Sequence, residues 1–173
     1  MNRRSFLRTS LVGAALLGAG AAAYRVLVPK SAAPVAGALL DANARAALAA
    51  LAPAILGDVF PTENSLRSKA ISATVDRVDA AIRGLAPTAQ KEVAELMMLL
   101  TLKPARWALT GISDWQSASP EALAAFLSAW RTHRLGLLQV AYHALHDLIA
   151  GSHYSDPAAW THAGYALPKG FEA

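Results

Sequence analysis

The stretch LRSKAISATVDRVDAAIRGL, residues 66–85, decides the fold. Ile71, Val75, Val78, Ile82 and Leu85 recur at alternating spacings of four and three, with Arg67, Lys69, Asp76, Arg77 and Arg83 between them. At about 100° per residue this pattern places every apolar side chain on one face of a helix. It predicts a surface helix with a single buried stripe.

Working outward, residues 41–57 carry Leu48, Leu51 and Ile55 at helical spacing, with Asp41 as a cap and Pro53 as a point of bending. Downstream, Pro87-Thr88 opens a helix through Val93, Leu96, Leu99 and Leu100 that Lys103-Pro104 interrupts, and a short piece follows to Gly111. Ser119-Pro120-Glu121 combines a capping hydroxyl, a first-turn proline and an early acid, so Leu123, Phe126, Leu127 and Trp130 form the next apolar face. Residues 134–150 form the last long helix: Leu137, Leu138, Ala141, Tyr142, Leu145, Leu148 and Ile149 fall on one side, Gln139, His143, His146 and Asp147 on the other. Asp156-Pro157 caps a final turn that Gly164 closes. No stretch alternates as a strand does, and no glycine loop resembles a phosphate cradle. The expectation is an all-α, irregular bundle of five to six helices over residues 41–173.

Composition agrees: hydrophobic residues make up 54% but aromatics only 7%, the signature of packed alanine- and leucine-rich helices. Five of the 16 basic residues, Arg3, Arg4, Arg8, Arg25 and Lys30, and none of the 12 acids, fall in residues 1–40. The remainder is nearly neutral, which removes the electrostatic footprint of a nucleic-acid binder. With no cysteine, the chain has no disulfide, thiolate metal site, iron–sulfur cluster or covalently attached c-type haem.

Residues 1–27 read as an export leader. Arg3-Arg4-Ser5-Phe6-Leu7 matches the twin-arginine pattern, with paired arginines and apolar Phe6 and Leu7 at the required offset. A Gly/Ala-rich apolar stretch, 11–23, leads to the small-residue run Ala21-Ala22-Ala23. That address is read by a translocon that carries folded cargo, so the expected destination is the periplasm. The rival is a membrane anchor over 11–28, but the clean run of 13 residues falls short of the roughly 20 that span a bilayer, and Arg25 interrupts it. Residues 28–40, with Pro29, Pro34 and Gly37, read as a linker.

Few residues suggest chemistry. His143, His146 and Asp147 share part of the polar face of that helix, which reads first as solvated or partner-facing; the alternative is an independent periplasmic metal- or haem-binding protein that uses them as ligands. No serine, histidine and acid stand in a nucleophile setting, so no catalytic residue is assigned. Tyr154, Trp160, Tyr165 and Phe171 crowd four of the 12 aromatics into the last 20 residues. Such a tail either packs on its own bundle or docks on another protein.

The runs Ala124-Ala125-Phe126-Leu127-Ser128-Ala129-Trp130-Arg131, Ala141-Tyr142-His143-Ala144-Leu145 and Tyr154-Ser155-Asp156-Pro157-Ala158-Ala159-Trp160, then Gly164-Tyr165, resemble the gluconate 2-dehydrogenase subunit 3 family. Where that family often continues with glycine and then proline, Ala166-Leu167-Pro168 stands here. The resemblance implies a non-catalytic small subunit without flavin or haem of its own. Its implied partner is a leaderless FAD-dependent flavoprotein of the glucose-methanol-choline type, often joined by a haem c cytochrome as third subunit. The implied role is to assist folding and twin-arginine export of that flavoprotein. On this reading Trp130, Tyr142, Tyr154, Trp160, Tyr165 and Pro168 are candidates for the partner interface.

Overall fold

Helix α1 (Ala42–Leu56) begins where Asp41 predicts, its carboxylate accepting the Ala44 N–H at 2.7 Å. The computed structural model describes residues 39–160 and 163–165. Outside them lie Arg3, Arg4, Phe6, Leu7, the linker to residue 38, His162, Pro168 and Phe171. Within them stand six α-helices and no strand, the all-α bundle expected from periodicity. None of the described helices is both long and apolar enough to cross a membrane alone.

The alanines of α1 let four other helices approach it closely. Ala44, Ala47, Leu48, Leu51 and Ala52 are buried, and α1 touches α2 (Asn64–Gly84), α3 (Pro87–Thr101), α5 (Pro120–Arg131) and α6 (Gly136–Tyr154). Pro53 sits inside the helix, which runs on to Gly57. There φ is +67°, a conformation side chains with a Cβ resist, and the Gly57 N–H closes the end by donating to the Pro53 carbonyl.

On α2 the stripe is buried at Val75, Val78 and Ile82, with Ile71 packed at its edge. Leu85 lies beyond the last turn and is 37% exposed, so the stripe ends at Ile82, one stripe position earlier than periodicity suggests. α3 buries Met97 and Leu100; α4 (Lys103–Thr110) ends in Gly111 at φ +72°. α5 is capped by Ser119, whose hydroxyl accepts the Ala122 N–H at 3.2 Å, and buries its four predicted residues. The Glu121 carboxyl is held below its ordinary 4.5 by a backbone hydrogen bond and then by the Ser119 hydroxyl.

Helix α6 packs on α2 and α5 and is longer than its sequence range suggests. Leu145 and Ile149 are completely buried, each contributing about 1.5–3 kcal/mol relative to an exposed side chain. One assignment needs correction: Leu137, expected in the buried stripe, is 73% exposed. It stands in the first turn and points roughly 80° away from Leu145 and 120° from Ile149, past the edge of the packed arc.

Candidate functional site

His143, His146 and Asp147 lie on the outward side of α6, as expected of its polar face. His146 Nδ1 stands 3.0 Å from Asp147 Oδ1, and His146 also lies against Tyr142, ring centroids 6.0 Å apart. Among the described residues, neither these three nor any other set of three histidines, aspartates and glutamates comes together as a metal-holding group.

The aromatic interface candidates separate into two sets. Trp130 is 2% exposed, packs edge-on to Phe126 at 4.9 Å and donates its indole N–H to the Leu109 carbonyl at 3.1 Å. Its surface is consumed by the core, so it is withdrawn from the partner interface. Tyr142 is half-buried against the same core. Trp160 donates its indole N–H to the Tyr154 carbonyl at 2.7 Å, and the chain folds back at Gly164, φ +71°, setting Tyr165 edge-on to Trp160 at 5.5 Å. Tyr154 and Trp160 are thus half-buried in a local knot, whereas Tyr165 remains 52% exposed. Asp156, capping the turn Pro157–Ala159, also pairs with Arg77 and so ties this knot to α2.

The largest unsatisfied feature is apolar. Leu135, Leu137 and Val140 are 58%, 73% and 65% exposed at the start of α6, and Ala144 and Gly151 continue the same outward line. Val140 points about 140° from Leu145, so no rotation of α6 buries both. Trp107 on α4 is exposed as well. Single exposed apolar residues need no explanation, but three large ones within six positions set this segment apart from the rest of the described surface. No protein family, curated protein or solved structure matches the chain.

Among the buried polar residues, three with ionisable side chains carry no signal in the sequence. Arg106 is 6% exposed; Nε donates to the Ile112 carbonyl at 3.2 Å, the guanidinium also binds the Ser113 carbonyl, and it lies over the Trp115 ring at 5.9 Å. It ties α4 to the loop that follows. His153 packs against Phe60, with Nδ1 3.1 Å from Thr74 Oγ1. The Thr74 hydroxyl also lies 3.0 Å from the Ala70 carbonyl, which joins the pair to the turn before it on α2. Asp79 is the third. All three fasten one element to another, and none faces a cleft. An open groove of about 640 Å³ runs beside α1, lined chiefly by Ala46, Ala49, Pro53, Trp115 and Leu123 with Asp58 and Arg67 among its other residues. Its small apolar floor suits a docked side chain better than acid–base chemistry.

Proposed function

We propose that this chain is a non-catalytic small subunit that escorts a larger, leaderless FAD-dependent dehydrogenase of the glucose-methanol-choline type through the twin-arginine pathway and remains bound to it in the periplasm. The observation that carries the reading is the run of three exposed large apolar residues, Leu135, Leu137 and Val140, at the start of α6. Arg3-Arg4 with Phe6-Leu7 supplies the export address. The identity of the partner rests on the family resemblance, carried chiefly by the Trp130-Arg131 step and the succession Tyr154, Asp156-Pro157, Trp160, Gly164-Tyr165.

The physical logic joins these features. A flavoprotein binds its cofactor in the cytoplasm and so has to cross the membrane folded; a tightly held companion with a folded-cargo leader provides the route. Companions of this kind keep an apolar surface that is covered only in the complex. FAD belongs to the partner and haem c to a third subunit, with none assigned to this chain. The substrate of the assembly, a sugar or another alcohol, is set by the flavoprotein. The test is replacement of Arg3 and Arg4 by lysine in the native host. Loss of both this chain and a flavoprotein from the periplasmic fraction supports the escort role; a flavoprotein that still arrives refutes it.

A further inference from the structure

Asp79 is the one buried carboxylate among the described residues, 3% exposed on α2. Burying a carboxylate is costly unless its oxygens are satisfied. Here Oδ1 accepts the backbone N–H of Leu39 at 2.9 Å and of Leu40 at 3.0 Å, and Oδ2 takes Arg83 Nη1 at 2.7 Å. The bonded amides lie 40 and 39 residues earlier in the chain, ahead of the first helix. The Leu40 side chain is itself in the core, 4% exposed, while Leu39 is half exposed. The end of what reads as a linker is therefore part of the folded body. It is held by a charge-assisted pair of bonds that no sequence period could announce.

We propose that Asp79 is a clamp that fixes the end of the linker on the folded domain, so that processing which removes the leader has to cut before Leu39. The proposal takes from the function proposed above only that residues 1–27 are a leader. Because the clamp joins α2 to a segment 39 residues away, it closes only when α1 and α2 have folded together. In the folded chain the retained body therefore begins at a fixed point, Leu39-Leu40, beside α2. A leader cut at or beyond Asp41 would remove Leu40 from the core and strand Asp79 beside Arg83. The chain therefore distinguishes a removable segment from a retained one at a defined position.

The test is hydrogen exchange by NMR or fragment mass spectrometry on the purified full-length chain. The Leu39 and Leu40 amides are expected to be protected, and Asp79→Ala to speed their exchange on the order of tenfold to a hundredfold while α5 amides keep their rates. Asp79→Asn, which retains one acceptor oxygen and the side-chain shape, is expected to fall between the two and decides the matter should the alanine variant fail to fold. Free-rate exchange of both amides in the unaltered chain overturns the clamp, as does protection that is unchanged in the variants. So does an exported, folded chain whose N-terminus maps to Asp41 or later. Replacing Arg3 and Arg4 by lysine interrogates export without touching the clamp, so each idea fails by its own measurement.

Discussion

Trp130→Phe separates core from contact surface at the residue where the sequence allowed both. The substitution deletes the indole N–H that reaches the Leu109 carbonyl at 3.1 Å and shrinks a ring that is 2% exposed and edge-on to Phe126. Stranding that carbonyl, half-buried as it is, costs about 1–2 kcal/mol, toward the lower end of the usual range. The lost ring volume adds about 1–2 kcal/mol as an incompletely collapsed cavity. The expected loss is therefore roughly 2–4 kcal/mol, or on the order of 10 °C in Tm for a domain of this size. Urea unfolding of the unaltered chain and the variant, followed by far-ultraviolet circular dichroism, measures it. A change under about 0.5 kcal/mol accompanied by lost partner binding would return Trp130 to the surface and refute the packing argument.

Further outcomes follow from the same geometry. Leu137→Lys with Val140→Lys, at positions 73% and 65% exposed, should leave unfolding within about 0.5 kcal/mol of the parent yet weaken recovery of the flavoprotein about tenfold or more in a pull-down. Arg106→Met should destabilise by about 3 kcal/mol in the same urea assay, because two loop carbonyls and the Trp115 ring lose their cation; Arg106→Lys should rescue only part, since a point charge cannot reproduce the fork. Glu121 has its folded value lowered, so its contribution is fully present above 4.5 and is lost as pH falls through that lowered value. Glu121→Gln should flatten this acid limb in urea midpoints measured against pH.

Much of the bundle was legible because its signals are local. Ser119-Pro120 and the four apolar residues after it fix α5 in both start and buried face, and Asp41 and Gly111 mark their helix ends. Leu137 misled because a wheel counts residues but not how far the neighbouring helices reach; at the first turn of α6 nothing covers it. Leu40 and Asp79 were invisible because each looks ordinary alone, one in a Pro/Gly-bearing linker and one among the charges of an amphipathic helix. Arg106 was missed because its partners lie in the irregular loop just after its helix, and His153 because Phe60 and Thr74 are far away in sequence; no period announces either. The outward apolar face of α6 became readable only once burial separated Leu137 and Val140 from Leu138 and Leu145.

Native mass spectrometry of the affinity-tagged chain, drawn from the periplasm of its own host, addresses the central claim most directly. The account predicts a defined complex with one larger protein that carries FAD, released together with its flavin when Leu137 and Val140 are both replaced by lysine. A chain that emerges alone, or one that holds a prosthetic group or turns over a substrate without a partner, contradicts it.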